Sequence, residues 1–292
     1  MTGAVAPARP APLTARSVLL SVLLGSHPPE LPVRTLVRTA QLFGITEGTA
    51  RVALSRLAAE GEVTTSRGDY RLSDRHLTRQ KDQDRALRPP TLQWRGRWVL
   101  AVALTPPGGS STPDRRFFEE RRMAELRPGV WARPDNLRPD TRGPDDASAE
   151  PGGSVLWWTG RPDTGRPDPD TGRADPDTGR PDPDTGRADP DTGRADPDTV
   201  AVSAAEVARR LWDLQGWATT AQTLLDHLST SEMPAERLAL AAAMVRHIRA
   251  DPVLPPDLLP DDWPGGRLRQ AYDAYRLELG SLIAAVATTP ES

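Results

Sequence analysis

Residues Thr164–Asp198 are five consecutive copies of one heptad, TGRPDPD or TGRADPD, with a partial copy before them at Thr159–Asp163. A period of seven is also that of a coiled coil, but none can be built from these units. Each contains Gly and at least one Pro, which break a helix, and no aliphatic side chain larger than Ala. The segment has no apolar surface to offset the entropy of ordering it. It is expected to be disordered and partly extended, an acidic insertion in a loop. The fold must be read from the rest of the chain.

The 292 residues suffice for two or three domains. Aromatic residues are only 5%, so the cores must lean on Leu, Val and Ala. The absence of Cys excludes a disulfide scaffold, a zinc-thiolate site and a cysteine nucleophile. The apolar run Val18–Leu24 is far too short to span a bilayer, and no cleavage-site pattern follows an apolar stretch. A cytoplasmic protein with a frayed tail over residues 1–13 and no membrane partner is expected. The charge is uneven. Residues 1–98 carry 15 Arg or Lys against 8 Asp or Glu, whereas the remainder carries 22 against 32. A basic segment of one domain's size is the electrostatic footprint of a nucleic-acid binder.

Residues 14–72 hold a compact pattern. Thr14 can cap a helix carrying Val18, Leu19, Val22 and Leu23, ended by Gly25. Pro32 suits the first turn of a second helix with Leu36, Ala40 and Phe43 on one face. After a tight turn at Gly44-Ile45, Thr46 caps a third helix whose Ala50, Ala53, Leu54 and Leu57 face inward. Gly61 closes it, and two short strands, Glu62–Ser66 and Tyr70–Leu72, meet at Arg67-Gly68-Asp69. Three helices and a hairpin in this order are the winged helix-turn-helix pattern.

Residues 73–97 read as a polar linking helix. Residues 98–216 offer a strand (Trp98–Leu104), a helix (Arg115–Leu126), two further strands (Gly129–Ala132 and Ser154–Trp158) and a helix from the capping box Ser203–Glu206 through Leu214. That order suits a ferredoxin-like α+β domain whose loop was expanded by the repeat insert, 159–199. Residues 217–292 are helical, with a Pro-rich stretch from Pro252 to Pro264 before the last helix. The expected fold class is α+β: an N-terminal winged helix-turn-helix, a middle ferredoxin-like domain and a C-terminal helical domain.

The third helix is the strongest functional element. With its apolar residues inside, its outer face holds Thr49, Arg51, Val52, Ser55 and Arg56. Arg can pair in bidentate fashion with guanine or hold phosphate, Ser and Thr can do either, and Val can meet a thymine methyl. Arg67 stands at the turn of the hairpin, placed like a wing tip. A solvated Arg-rich helix face would share this composition; the helix-helix-helix-hairpin order favours DNA for the set.

The strings LTARSVLLSVLLGS, TEGTARVALSRLAAEGEV, YRLSDR, RWVLAVAL, RRFFEERRMAELRPGVWARPDNL and RRLWDL occur in that order, followed by DPVLPPDLLPDDWPG at Asp251–Gly265. Together they resemble the PaaX family of transcriptional repressors, over nearly the whole chain outside the insert and the tail. The resemblance implies a homodimer that represses an aromatic-acid catabolic operon. It also implies binding to double-stranded operator DNA and release by a small-molecule effector, an aryl-CoA or other acyl-CoA thioester. It implies no enzyme activity and no bound cofactor. If the effector is a CoA ester, Arg115, Arg116, Arg121 and Arg122 are the densest cations outside the N-terminal domain, although they suit a solvated helix face equally.

A rival reading is a ferredoxin-like, metal-dependent nuclease with a DNA-binding arm, since the middle domain resembles the small endonucleases of CRISPR adaptation. Those carry an acidic metal ligand just after the first strand. Here Leu104-Thr105-Pro106-Pro107 stands in that place, and the first acid is Asp114 at the next helix cap. No metal site is expected. His27, His76, His227 and His247 form no close pair, and the strings Pro107-Gly108-Gly109 and Pro151-Gly152-Gly153 lack the Lys of a phosphate loop. Trp157 and Trp158 are adjacent on a strand, so one should face the core and the other the opposite side. Tyr272, Tyr275 and Leu279 fall at helical spacing and read as core.

Overall fold

The computed structural model describes residues 13–104, 115–138, 154–162 and 202–288. The chain is mixed α and β with two antiparallel sheets, and its backbone divides into two units. The heptad repeat from Thr164 on lies outside the described residues.

The first unit takes the chain up to Pro90, Leu214–Val253 and from Pro260 on. Helix α1 (Ala15–Gly25) starts at Thr14, whose hydroxyl accepts the Ser17 N–H at 3.1 Å, and buries Val18, Leu19, Val22 and Leu23. Strand β1 (Glu30–Pro32) leads into α2 (Val33–Leu42), with Pro32 at the N-cap. Gly44, at φ +79°, makes the turn to α3 (Glu47–Ala59). Thr46 caps α3, and its Oγ1 accepts the Thr49 N–H. Strands β2 (Val63–Ser66) and β3 (Asp69–Leu72) form the hairpin, and β1 joins it to give the order β1-β3-β2. Helix α4 (Asp74–Leu87) then leads out. The strand β1 went unforeseen because three residues ending in Pro have no pattern of their own; pairing with β3, some 40 residues on, makes it a strand.

Three further helices complete this unit: α7 (Leu214–Thr230), α8 (Pro234–Arg249) and α9 (Gly265–Thr288). They share one hydrophobic core with the N-terminal helices, in which Leu36, Leu54 and Leu57 belong to the same cluster as Met244, Ile248 and Leu268. The sequence-based boundaries at 14–72 and 217–292 thus run through a common core. Tyr272, Tyr275 and Leu279 are buried in it, as expected. Rings of Trp217, His247 and Trp263 stack, with Trp217 centroids 4.3 Å from His247 and 4.5 Å from Trp263. Gly265 is required there, because a Cβ would come within 2.5 Å of the Trp263 indole nitrogen.

The second unit, Thr91–Asp213 with Leu254–Leu259, carries the other sheet. Its elements are β4 (Trp98–Leu104), α5 (Arg115–Glu120), β5 (Ala124–Arg127), β6 (Val130–Pro134), β7 (Ser154–Gly160) and α6 (Ala204–Leu211). The strand order is β5-β6-β4-β7, antiparallel throughout. Ser203 caps α6, accepting the Glu206 N–H at 3.2 Å.

Three expectations need correction here. The helix expected over Arg115–Leu126 ends at Glu120, because Arg122 turns left-handed (φ +57°) and Pro128-Gly129 folds Ala124–Arg127 back onto β6. The helix expected through Leu214 ends at Leu211, with Trp212 extended and α7 beginning at Leu214. The last strand runs two residues past Trp158, so Thr159 and Gly160, counted with the repeat, pair with β4. Trp157 and Trp158 do stand on opposite faces of β7 as expected, Trp157 on the side of Phe117 with ring centroids 6.4 Å apart, and both are half-exposed.

Candidate nucleic-acid interface

The amphipathic spacing of α3 separates its two faces cleanly. Ala50, Leu54 and Leu57 are wholly buried and Ala53 half-buried, which fixes the rotation of the helix in its core. Thr49, Arg51, Val52, Ser55 and Arg56 are all exposed as expected, and Val52, at 53%, is an aliphatic side chain left in solvent. The Thr49 hydroxyl lies 2.8 Å from that of Thr46, so it is shared with the helix cap. Arg51 Nε donates to Glu47 Oε1 at 2.8 Å. That pair is more than half exposed on both sides, worth about 0–1 kcal/mol, and leaves Arg51 free to exchange partners. Among the described residues Arg56 has no ion-pair partner.

Arg67 sits where the hairpin reading placed it, at the tip of a two-residue turn between Ser66 and Asp69. Arg67 (φ +51°) and Gly68 (φ +88°) are both left-handed, the geometry whose twist matches a hairpin. The turn is tied to the helices: the Val33 N–H donates to the Gly68 carbonyl at 3.0 Å. That bond brings the exposed Arg34, at the start of α2, beside the hairpin tip. Sequence reading missed Arg34 because its placement depends on this tertiary bond and on no spacing. Arg71, exposed on β3 opposite Thr64, was missed likewise.

Behind this face, a charge cluster locks α3 to the hairpin. Glu62, in the link from α3 to β2, receives Arg16 from α1 at 3.0 Å and the Nε2–H of buried His76 from α4. Arg16 also pairs with Glu60. The His76 hydrogen bond, the largest cause, holds the Glu62 carboxyl below its ordinary value of 4.5, with the charges of His76, Arg16 and Arg75 adding to it. A carboxyl lowered on folding contributes stability above its unfolded value, and that contribution disappears as pH falls through the folded value. Glu62→Gln is therefore expected to flatten the loss of stability on acidification below about pH 4.5. Urea titrations of both proteins at a series of pH values measure it; parallel curves would show that Glu62 is not the titrating group.

In the second unit, the cations considered for a CoA ester are partnered. Arg115 pairs with Glu119 and Glu125, and Arg116 with Glu120. Arg121 donates to the Phe117 carbonyl and lies 3.6 Å over its ring. Asp114, on which the nuclease alternative turns, lies outside the described residues. Among the described residues no helix is long and apolar enough to cross a membrane.

The chain matches the PaaX-like protein family over residues 14–76, which include α3 and the hairpin. It matches the PaaX-like protein C-terminal domain over residues 212–286. It is also similar to the solved structure of the uncharacterized protein Rv0674 from Mycobacterium tuberculosis. The two are 34% identical, with a TM-score of 0.69, over 94% of this chain and 99% of that one. No curated protein matches. With both family regions present and this relative aligned over nearly its whole length, the chain belongs to the PaaX-like family, which is associated with DNA binding and the transcriptional regulation of phenylacetic acid catabolism.

Proposed function

We propose that the chain is a dimeric, ligand-responsive repressor that reads duplex DNA with a winged helix-turn-helix. In this reading α3 is the recognition helix and the β2–β3 hairpin is the wing. The observation that carries it is the exposed face of Thr49, Arg51, Val52, Ser55 and Arg56 on a helix held by the buried Ala50, Leu54 and Leu57 of its opposite face. Base-edge contact would fall to the N-terminal half of that helix, where Thr49, Arg51 and Val52 lie. Arg67 would hold phosphate at the wing. The β5-β6-β4-β7 order of the second unit supports a ferredoxin-like assignment, although α6 follows the last strand. The effector in this reading is an acyl-CoA thioester, a proposal that rests on the family likeness. The N-terminal helices share a core with α8 and α9, so a ligand that shifts one set is felt by the other.

The test is binding to duplexes selected from a random pool, against a scrambled control. Arg51→Ala and Arg56→Ala are each expected to cost about 1–3 kcal/mol and to relax one position of the site. Arg67→Asn should weaken cognate and scrambled binding alike and reduce the salt slope by about 1. The same change should not destabilise the fold, because Asn tolerates the left-handed turn better than Arg does. Equal wild-type affinity for cognate and scrambled duplexes would refute the reading. Titrating the complex with aromatic and aliphatic CoA thioesters should release DNA with a coupling of about 5–150-fold. No shift with any thioester would refute the effector assignment alone.

A further inference from the structure

Three strands of the second unit end together. Trp98, the first residue of β4, pairs with Pro134 of β6 and with Gly160 of β7. The segments that meet there, 94–98, 133–137 and 160–162, hold four arginines (Arg95, Arg97, Arg133 and Arg161) and one acid, Asp135. Hydrogen bonds tie this corner together. The carbonyl of Arg97 accepts the Asp135 N–H at 2.9 Å and the Trp94 indole N–H at 2.6 Å. Gly96, at φ +77°, turns the chain, and Arg161 Nε lies 3.8 Å from where a Cβ on Gly96 would stand. Trp94 is half-exposed, and Arg95, Arg97 and Arg161 are exposed. Sequence reading missed the group because its members come from three separate strand ends.

These cations lack the close carboxylates that Arg115 and Arg116 have on α5. Arg97 reaches Asp135 only at 3.8 Å. Among the described residues Arg95 makes no ion pair. Neither does Arg133, although it is half-buried. Burial holds the pKa of its guanidinium below the ordinary arginine value, against the pull of the Asp135 charge, and its Nη1 donates to the Pro134 carbonyl at 3.0 Å. A half-buried charge without a close counter-charge costs stability, which an anion seated beside it would restore. Size limits what that anion is. Three adjacent strands span about 10 Å, room for one small ligand and too little for a protein or duplex footprint. Phosphate suits arginine, whose planar fork matches its oxygens. The half-exposed indole of Trp94 offers a face on which a base can stack.

We propose that this corner binds a small nucleotide, with its phosphates on Arg97, Arg133 and Arg161 and its base on Trp94. The CoA thioester of the functional reading carries an adenosine bisphosphate, so the regulatory consequence rests on that reading; the binding itself does not. The probe is adenosine 3′,5′-bisphosphate, titrated calorimetrically into the full chain beside pyrophosphate and adenosine. The bisphosphate is expected to bind about tenfold more tightly than either of the others, or better. Arg97→Gln and Arg161→Gln, both at exposed positions, should each weaken bisphosphate and pyrophosphate by about tenfold. Trp94→Leu should weaken the bisphosphate by about tenfold and leave pyrophosphate unchanged. Arg116→Gln, on α5, should change neither. Arg133→Gln should weaken both ligands and leave the unliganded chain at least as resistant to urea, whereas a purely structural Arg133 would leave the variant less stable. Absence of bisphosphate binding, or binding untouched by Arg97→Gln and Arg161→Gln, overturns the site. A bisphosphate no tighter than pyrophosphate overturns the nucleotide. Scrambled-duplex affinity lowered by the same two variants would make the corner a DNA-backbone contact and overturn it as well. Thioesters that release DNA equally from the wild type and Arg97→Gln overturn this site and leave the effector reading standing. Bisphosphate binding with no thioester effect on DNA supports the site and refutes the effector assignment alone.

Discussion

Asp251→Ala is expected to destabilise the protein by about 3–5 kcal/mol. Asp251 opens the string DPVLPPDLLPDDWPG and is 2% exposed. One carboxylate oxygen meets Arg269 Nη2 at 2.7 Å, and the other accepts the Val253 N–H at 2.8 Å. Arg269 in turn donates to the Gly265 carbonyl at 3.0 Å and to the Ala86 carbonyl at 3.3 Å. One carboxylate thus connects the end of α8, the start of α9 and the end of α4. Removing it leaves a guanidinium with little solvent access and no counter-charge. It also releases Val253, a β-branched residue held at φ +54°, a conformation that costs about 1–3 kcal/mol. Asp251→Asn keeps an acceptor for the Val253 N–H and loses only the charge, so about 1–3 kcal/mol is expected. Urea denaturation of the three proteins measures the ladder. Since a domain's total stability is about 5–15 kcal/mol, a loss under about 1 kcal/mol in Asp251→Ala would show that the pair carries no such load.

The ladder also marks where sequence reading stops. The caps at Thr14, Thr46 and Ser203 were legible because each serves an N–H three residues away. The exposed face of α3 was legible because helical spacing alone decides it once Ala50, Leu54 and Leu57 are taken as core. Arg67 was legible because a two-residue turn has few positions. What failed depended on distant partners. Residues 124–127 have the composition of a helix end and became a strand because β6 was beside them. Pro32 reads as a helix start, and it also ends a strand that β3 creates. Likewise the string from Asp251 to Gly265 was conspicuous in sequence, yet its role needed Arg269 and Ala86, residues 18 and 165 positions away from Asp251. His76 looked like one of four unremarkable histidines until Glu62 was found against it. Local chemistry survives in the sequence; burial and ion pairing between elements do not.

Phe118→Ala is expected to cost about 3–5 kcal/mol, and to spend it on the second unit alone. Phe118 belongs to a small buried apolar cluster of that unit, with Ala101, Met123 and Trp131. Phe118 is wholly buried at its centre, stacked on Trp131 at 4.7 Å and 10° and edge-on to Phe117 at 5.1 Å and 89°. These aromatic contacts add about 0.5–1.5 kcal/mol each to what burial contributes. The first unit has its own core, to which Phe118 does not belong. In urea the variant should therefore show an early transition, reported by the near-UV circular dichroism of the stacked Trp131, and a later one for the first unit close to its wild-type midpoint. Phe118→Leu, which keeps most of the volume and loses the stacking, should fall between the two. The DNA reading adds a consequence. The α3 face is built wholly in the first unit, so half-site binding should survive in Phe118→Ala at urea concentrations where the sheet is lost. One unshifted cooperative transition in Phe118→Ala would show that the sheet does not depend on this ring.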